Sequence, residues 1–156
     1  MQVIKSNVIQ TKQHENILVK EYETDYASLS NLRQPKEIVQ LLNDVFSLNV
    51  MAEEYVYLLA MTTSGELISL FEVSHGTVNM SLVRGREVMI RALLCGAASI
   101  ILVHNHPSGD IRPSKADIEQ TIEIKEVCHL IGIDFLDHII IGGGDYYSFK
   151  EEQKDI

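Results

Sequence analysis

The spacing of apolar and polar residues divides the chain into alternating helix and strand patterns. Apolar residues recur at helical spacing in three segments, which predicts helices over residues 35–46, 84–95 and 115–131. Apolar, β-branched runs predict strands over residues 55–62, 66–73, 99–103, 133–141 and 145–149. Ser64-Gly65 is a tight-turn signal between the first two of these strands. Alternation around one hairpin predicts an α/β fold, a mixed sheet with helices on both faces.

The two ends of the chain and one internal segment carry weaker patterns. Residues 16–22 predict one strand, and we interpret residues 1–32 as an N-terminal extension. Residues 33–150 form the predicted domain, within which residues 77–82 are expected to be a loop or short strand. Residues 151–156 are expected to be a frayed tail.

Composition narrows the class of protein. A chain of 156 residues with 46% hydrophobic content predicts one soluble globular domain. The net charge of −9 argues against a strong non-specific DNA-binding surface, which needs clustered Lys and Arg. No apolar run is long enough to span a membrane, and the N-terminus lacks the apolar core of a secretory signal. We therefore expect a cytoplasmic protein in which Cys95 and Cys128 are free thiols, although a disulfide stays open.

Two histidines follow the apolar run that ends at Val103. His104 and His106 are two positions apart, a spacing that puts side chains on opposite sides of a helix but on one face of a strand. Alternate residues of a strand lie roughly 6.5–7 Å apart at Cα, close enough for two imidazoles to bind one ion. Both histidines are therefore expected at the carboxyl end of a buried strand.

A carboxylate follows at the start of the next predicted helix. Ser114 is a favoured N-cap residue, and Asp117 lies three positions later, in the first helical turn. Two neutral histidines and one aspartate make a three-ligand zinc set that leaves a position for water. The residues thus predict Zn²⁺ bound by His104, His106 and Asp117.

The same residues allow other functions. The letters His-Asn-His suggest an HNH nuclease, but in those enzymes the three residues are scattered through a ββα unit. A zinc deaminase needs His-x-Glu and Pro-Cys-x-x-Cys, which this chain lacks. A metal-free scaffold is a further alternative, which the intact histidines and aspartate disfavour.

The spacing of His104, His106, Ser114 and Asp117 resembles the JAMM motif of the JAB/MPN metallopeptidases. The segments "LVHNHPSGDIRPSKADIEQT" and "LDHIIIG" are similar to the RadC subgroup of that superfamily, which is associated with DNA repair. The resemblance implies a three-layer α-β-α fold similar to the cytidine deaminases. It implies zinc ligation by the two histidines and the aspartate, with Ser114 as a hydrogen-bond donor near the reacting oxygen.

The resemblance also implies an upstream glutamate as general acid/base. The candidates are Glu53, Glu54, Glu66, Glu72 and Glu87. In the family this glutamate begins the first hairpin strand before an aromatic or apolar residue, and Glu54 before Tyr55 matches that position. Glu53 would face the other side of the strand.

The implied activity is hydrolysis of an amide or isopeptide bond in a peptide or protein substrate. A nucleic-acid partner, as a nuclease or repair accessory, is disfavoured by the charge and by the lack of room in residues 1–32 for the helical segment that often precedes this domain. No membrane partner is expected, and unpaired apolar strand edges would allow a homodimer.

Four further positions are predicted to lie outside the ligand set. Asn105 is expected to point away from its histidine neighbours and to anchor the backbone of the loop around them. Asp137-His138 is expected to make a structural hydrogen bond or to contact a metal ligand rather than the metal. Arg112 is expected to be a solvated loop charge.

Overall fold

Seven strands form one mixed sheet in the computed structural model, which describes residues 1–27, 32, 34–76 and 83–152. The strands are β1 (Gln2–Gln10), β2 (Asn16–Asp25), β3 (Glu54–Met61), β4 (Leu67–Gly76), β5 (Ser99–Asn105), β6 (Asp134–Gly142) and β7 (Asp145–Ser148). The helices are α1 (Pro35–Phe46), α2 (Gly85–Leu94) and α3 (Lys115–Ile131), with a 3-10 turn at Leu48–Val50. The strand order is β2-β1-β4-β3-β5-β6-β7. The predicted α/β class is confirmed, whereas residues 77–82 and 153–156 lie outside the described residues.

Helices cover both faces of the sheet. On one face, α1 packs Leu41 and Leu42 against a core that includes Tyr57 and Leu59 of β3. On the other face, α2 and α3 contribute a second core. Its central members are Val56, Leu58, Val88, Ala92, Ile100, Leu102, Ile124 and Cys128. Among the described helices, none is both long and apolar enough to cross a membrane.

Strand β5 is an inner strand of the sheet, and all seven of its residues are buried. It pairs antiparallel with β3 and parallel with β6. Because both neighbours continue past Val103, the strand runs two residues beyond its predicted end, to Asn105. His104 therefore belongs to the sheet itself, and β3 begins one residue earlier than predicted, at Glu54.

The N-terminal segment contributes two strands to this sheet, of which only the second was predicted. β1 and β2 form an antiparallel hairpin with a register shift between Lys5 and Ser6. β1 then pairs parallel with β4 at Lys5 and Leu70. Val3 is fully buried in the α1-side core. Residues 2–25 thus continue the sheet of the domain and make β2 one of its edges.

A half-buried ion pair holds the hairpin to β4, and we expect its loss to loosen that attachment. Lys5 Nζ lies 2.9 Å from Glu72 Oε2, and His75 Nδ1 lies 2.8 Å from Glu72 Oε1. Burial opposes ionisation of Glu72, but these two partners outweigh it and lower the pKa of the carboxyl. Glu72→Gln is expected to lower the free energy of unfolding by about 1 kcal/mol and to speed amide exchange in residues 2–25.

Glu21→Gln is the matched control, because Glu21 Oε2 lies 3.7 Å from the same Lys5 Nζ and is more exposed. In urea unfolding, Glu21→Gln should lower the free energy of unfolding by less than about 0.5 kcal/mol. Equal losses in the two variants would contradict the assignment of the hairpin attachment to Glu72.

Candidate metal centre

The first two candidate ligands lie at the carboxyl end of β5. His104 pairs with Val56 of β3 and Ile140 of β6, and is 1% exposed. His106 follows the strand, and its N–H donates to the Ile141 carbonyl at 2.8 Å, which continues the line of β5. The two rings lie on the same side, with centroids 4.8 Å apart. The spacing argument made from the sequence is thus confirmed for this pair.

The loop after His106 fixes the orientation of its ring. His106 Nδ1 lies 2.6 Å from the Asp110 carbonyl oxygen. A carbonyl can only accept, so Nδ1 carries the proton and Nε2 faces the centre. The loop lies so close to the β6–β7 turn that a Cβ on Gly143, where φ is +58°, would be 2.8 Å from the Gly109 carbonyl oxygen. A side chain at Gly143 would therefore displace this loop.

The third candidate ligand is presented by the first turn of α3. Ser114 is the N-cap, and its Oγ accepts from the Asp117 N–H at 3.2 Å. In return, Asp117 Oδ2 accepts from the Ser114 N–H at 2.7 Å. This reciprocal capping box holds the carboxylate at the positive end of the helix. Asp117 is 8% exposed.

These three side chains converge. His104 Nε2 lies 2.9 Å from His106 Nε2 and 3.3 Å from Asp117 Oδ1, and His106 Nε2 lies 3.5 Å from Asp117 Oδ2. One potential ligand atom from each residue falls within 4.8 Å of the others. Two imidazole nitrogens and a carboxylate oxygen are a donor set that fits zinc and other first-row divalent metals. The predicted ligand set therefore forms a candidate metal site.

The electrostatics of the site also favour a cation. Complete burial, followed by the charge of the neighbouring His138, lowers the pKa of His104 well below its ordinary value and keeps this ring neutral. The hydrogen bond to Asp117 raises the pKa of His106. Burial opposes ionisation of Asp117, but the contacts with His106, His104 and Ser114 outweigh it and lower the pKa of its carboxyl. Either a proton or a cation must therefore sit among these atoms.

Glu54 begins β3 beside this centre. It lies two residues before Val56, which is paired with His104, so alternation along β3 places its side chain on the same face as His104. Glu54 is 8% exposed, whereas Glu53 is exposed. The charge of Glu54 is also among the smaller influences that raise the pKa of His106, after the hydrogen bond to Asp117.

Asn105 fixes the backbone on both sides of Glu54. Its Oδ1 accepts from the Tyr55 N–H at 2.8 Å, and its Nδ2 donates to the Glu53 carbonyl at 3.0 Å. The side chain is 2% exposed and makes both bonds across the β3–β5 pair. The expected backbone anchor is present, but it holds β3 rather than the loop around the histidines.

The hydroxyl of Ser114 touches a candidate ligand. Its Oγ lies 2.6 Å from Asp117 Oδ2, to which it donates. The expected role of this hydroxyl at the reacting oxygen stays a prediction. Because the Ser114 N–H holds the same carboxylate oxygen, Asp117 would keep one of these bonds if the hydroxyl turned away.

The remaining positions lie outside the centre. Arg112 is exposed and forms an ion pair with Asp110, as expected for a solvated loop charge. Cys95 and Cys128 are free thiols, the expected state. His138 is buried against His104, and Asp137 accepts from the Ser148 hydroxyl at 2.6 Å, so both make the kind of structural contact that was expected.

Comparison with known proteins agrees with this architecture. The model of the RadC-like JAB domain family matches residues 32–154. A UPF0758 protein of Clostridium acetobutylicum is 43% identical over 129 residues, 81% of this chain and 56% of the relative. A UPF0758 protein of Clostridium tetani is 42% identical over 126 residues, 81% of this chain and 54% of the relative. The chain thus spans about half the length of these relatives. With a matching family model over most of its length and the candidate ligands in place, this chain belongs to the RadC-like JAB domain family.

Proposed function

We propose that the chain is a zinc-dependent hydrolase of the JAMM metallopeptidase type, cleaving an amide or isopeptide bond in a peptide or protein. The observation that carries the proposal is the convergence of His104, His106 and Asp117 beside a buried carboxylate, Glu54, on the same face of the sheet. Ligands and a general acid/base on one face are the minimum that amide hydrolysis by an activated water requires.

The two histidines and the aspartate are the proposed holders of the metal. When bound, zinc lowers the pKa of a coordinated water towards about 7 and polarises a carbonyl oxygen. His106 Nδ1 donates away from the centre to the Asp110 carbonyl, so its Nε2 faces the centre, and His104 Nε2 faces the other two candidate ligands. The capping box orients the carboxylate without using Oδ1.

Glu54 is the proposed general acid/base. Its carboxylate accepts a proton from the attacking water and delivers it to the leaving amine nitrogen. Ser114 is proposed to turn its hydroxyl towards the oxyanion of the tetrahedral intermediate, while its backbone N–H keeps Asp117 in place.

The proposal is tested by loading the purified chain with zinc and measuring metal content and hydrolysis together. We expect about one zinc per chain by elemental analysis and cleavage within a panel of fluorogenic peptides and isopeptide-linked substrates. Asp117→Asn is expected to lose most of the zinc and all of the cleavage. Zinc-loaded protein that cleaves labelled DNA but no amide in the panel would overturn the proposal, as would zinc-loaded protein that cleaves neither.

A further inference from the structure

A row of buried polar groups continues from the candidate centre into the core. His104 Nδ1 lies 2.8 Å from His138 Nε2, and His138 Nδ1 lies 2.7 Å from Thr121 Oγ1. Thr121 Oγ1 lies 2.6 Å from the backbone carbonyl oxygen of Asp117. None of the three side chains is more than 1% exposed. The row therefore starts at one candidate ligand, His104, and returns to the backbone of another, Asp117.

The last member of the row sets the direction of every proton in it. The Asp117 carbonyl can only accept, and Thr121 has a single hydroxyl proton, so the hydroxyl donates to that carbonyl. Thr121 Oγ1 must then accept from His138 Nδ1. A neutral His138 with its proton on Nδ1 has a lone pair on Nε2, which accepts from His104 Nδ1. His104 is left with its lone pair on Nε2, the atom that faces His106 and Asp117.

If the hydrogen bonds of the row ran in the opposite direction, the contact between Thr121 and the Asp117 carbonyl would have no proton. If Thr121 donated to His138, the Asp117 carbonyl and Thr121 Oγ1 would face each other as two acceptors at 2.6 Å. His138 Nε2 would then carry a proton for His104 Nδ1, and the remaining proton of a neutral His104 would sit on Nε2, inside the metal site. A buried pair of acceptors is costly, so the arrangement that frees His104 Nε2 is the stable one.

We propose that Thr121 and His138 are positioning residues that fix the tautomer of His104 and keep its Nε2 free to bind metal. The inference rests on the metal site of the proposed function, but it does not depend on any hydrolytic activity. Thr121 lies one helical turn after Asp117. Helix α3 therefore carries both a candidate ligand and the hydroxyl that determines the direction of the hydrogen bonds in the row.

The imidazole of His138 is itself held in place. It stacks on Phe149 with ring centroids 5.3 Å apart and an interplanar angle of 13°. The His138 carbonyl accepts from the Phe149 N–H at 3.1 Å. Since β6 also pairs with β5 at this position, the ring has little freedom to leave His104.

The first test measures the tautomers directly in zinc-free protein at neutral pH. Long-range ¹H–¹⁵N spectra of ¹⁵N-histidine-labelled protein should show His104 and His138 with protonated Nδ1 and unprotonated Nε2. Protonated Nε2 on either ring would overturn the inference. Because no metal or substrate is used, this result is separate from failure of the proposed hydrolase function.

The second test measures zinc affinity by competition with a chelator. Thr121→Val removes the hydroxyl at nearly constant volume and is expected to weaken zinc binding about 10–100-fold. The same variant should raise the Nε2-protonated fraction of His104 in the ¹⁵N spectra. Thr121→Ser keeps the hydroxyl and should bind within about twofold of the wild-type protein.

Ser148→Ala is the matched control for the loss of a buried hydroxyl. Ser148 of β7 is 2% exposed and donates to Asp137 Oδ2 at 2.6 Å. Asp137 precedes His138 on β6 but is not part of the row. It should lower stability and leave zinc affinity and the His104 tautomer unchanged. Wild-type zinc affinity in folded Thr121→Val would overturn the inference, and so would an equal loss of affinity in Ser148→Ala.

Discussion

Glu54→Gln is expected to lower hydrolytic turnover about 10²–10⁴-fold while leaving zinc content unchanged. Glutamine has nearly the same shape as glutamate but cannot accept the proton of an attacking water. The side chains of His104, His106 and Asp117 are unaltered by the substitution, so the metal should stay bound. The measurement is turnover of the best amide substrate beside elemental analysis of the same protein sample.

The adjacent Glu53→Gln provides the matched control. Glu53 is exposed and carries the same charge one residue away, so both variants change the net charge equally. Full turnover in the Glu53 variant, with loss in the Glu54 variant, would assign the effect to the buried carboxylate. Full turnover in zinc-loaded Glu54→Gln would show that the proton is transferred by another group.

The second large effect is a loss of stability in mild acid, measured on metal-free protein. Burial lowers the pKa of His138 to about 4, against 6.5 for a solvated histidine. In the unfolded chain His138 is therefore protonated below about pH 6.5, whereas in the folded chain it is protonated only below about pH 4. Stability is highest above this window and declines as the pH falls through it, by about 3 kcal/mol for His138 alone.

Urea unfolding at pH 7.5 and pH 4.5, with chelator present, checks this expectation. His104 is buried in the same way and lowers stability in the same direction. His138→Gln removes one titrating group, so the decline between the two pH values should shrink by about 2–3 kcal/mol relative to wild type. An equal decline in both proteins would show that His138 is not protonated on unfolding.

The candidate ligands could be predicted from sequence because their geometry is local. The two histidines lie on one face of a strand, and strand alternation alone brings them together. Ser114 and Asp117 form one capping box, which the three-residue spacing encodes. Only the meeting of these two pieces is a long-range event. The unbroken apolar run before His104 indicated a strand that is buried on both faces, as β5 is.

Contacts between distant segments were harder to predict. β1 was missed because its sequence, QVIKSNVIQ, lacks strict alternation, and the register shift at Lys5/Ser6 interrupts the period of two. Thr121 gave no signal of its own, since a threonine inside a helix ordinarily faces solvent or bonds to the carbonyl four residues before it. Its partner His138 is 17 residues away on β6, and the position of that strand beside β5 depends on the whole sheet.

The side-chain amide of Asn105 fixes the backbone around Glu54 without contacting the Glu54 carboxylate. Its two hydrogen bonds are to the Tyr55 N–H and the Glu53 carbonyl, the backbone groups on either side of position 54. The place of the Glu54 Cα beside β5 therefore does not depend on its carboxylate, and Glu54→Gln should leave it unchanged. If the proposed hydrolase function holds, an inactive variant at position 54 should keep its substrate bound without cleaving it, so that the substrate can be cross-linked and identified.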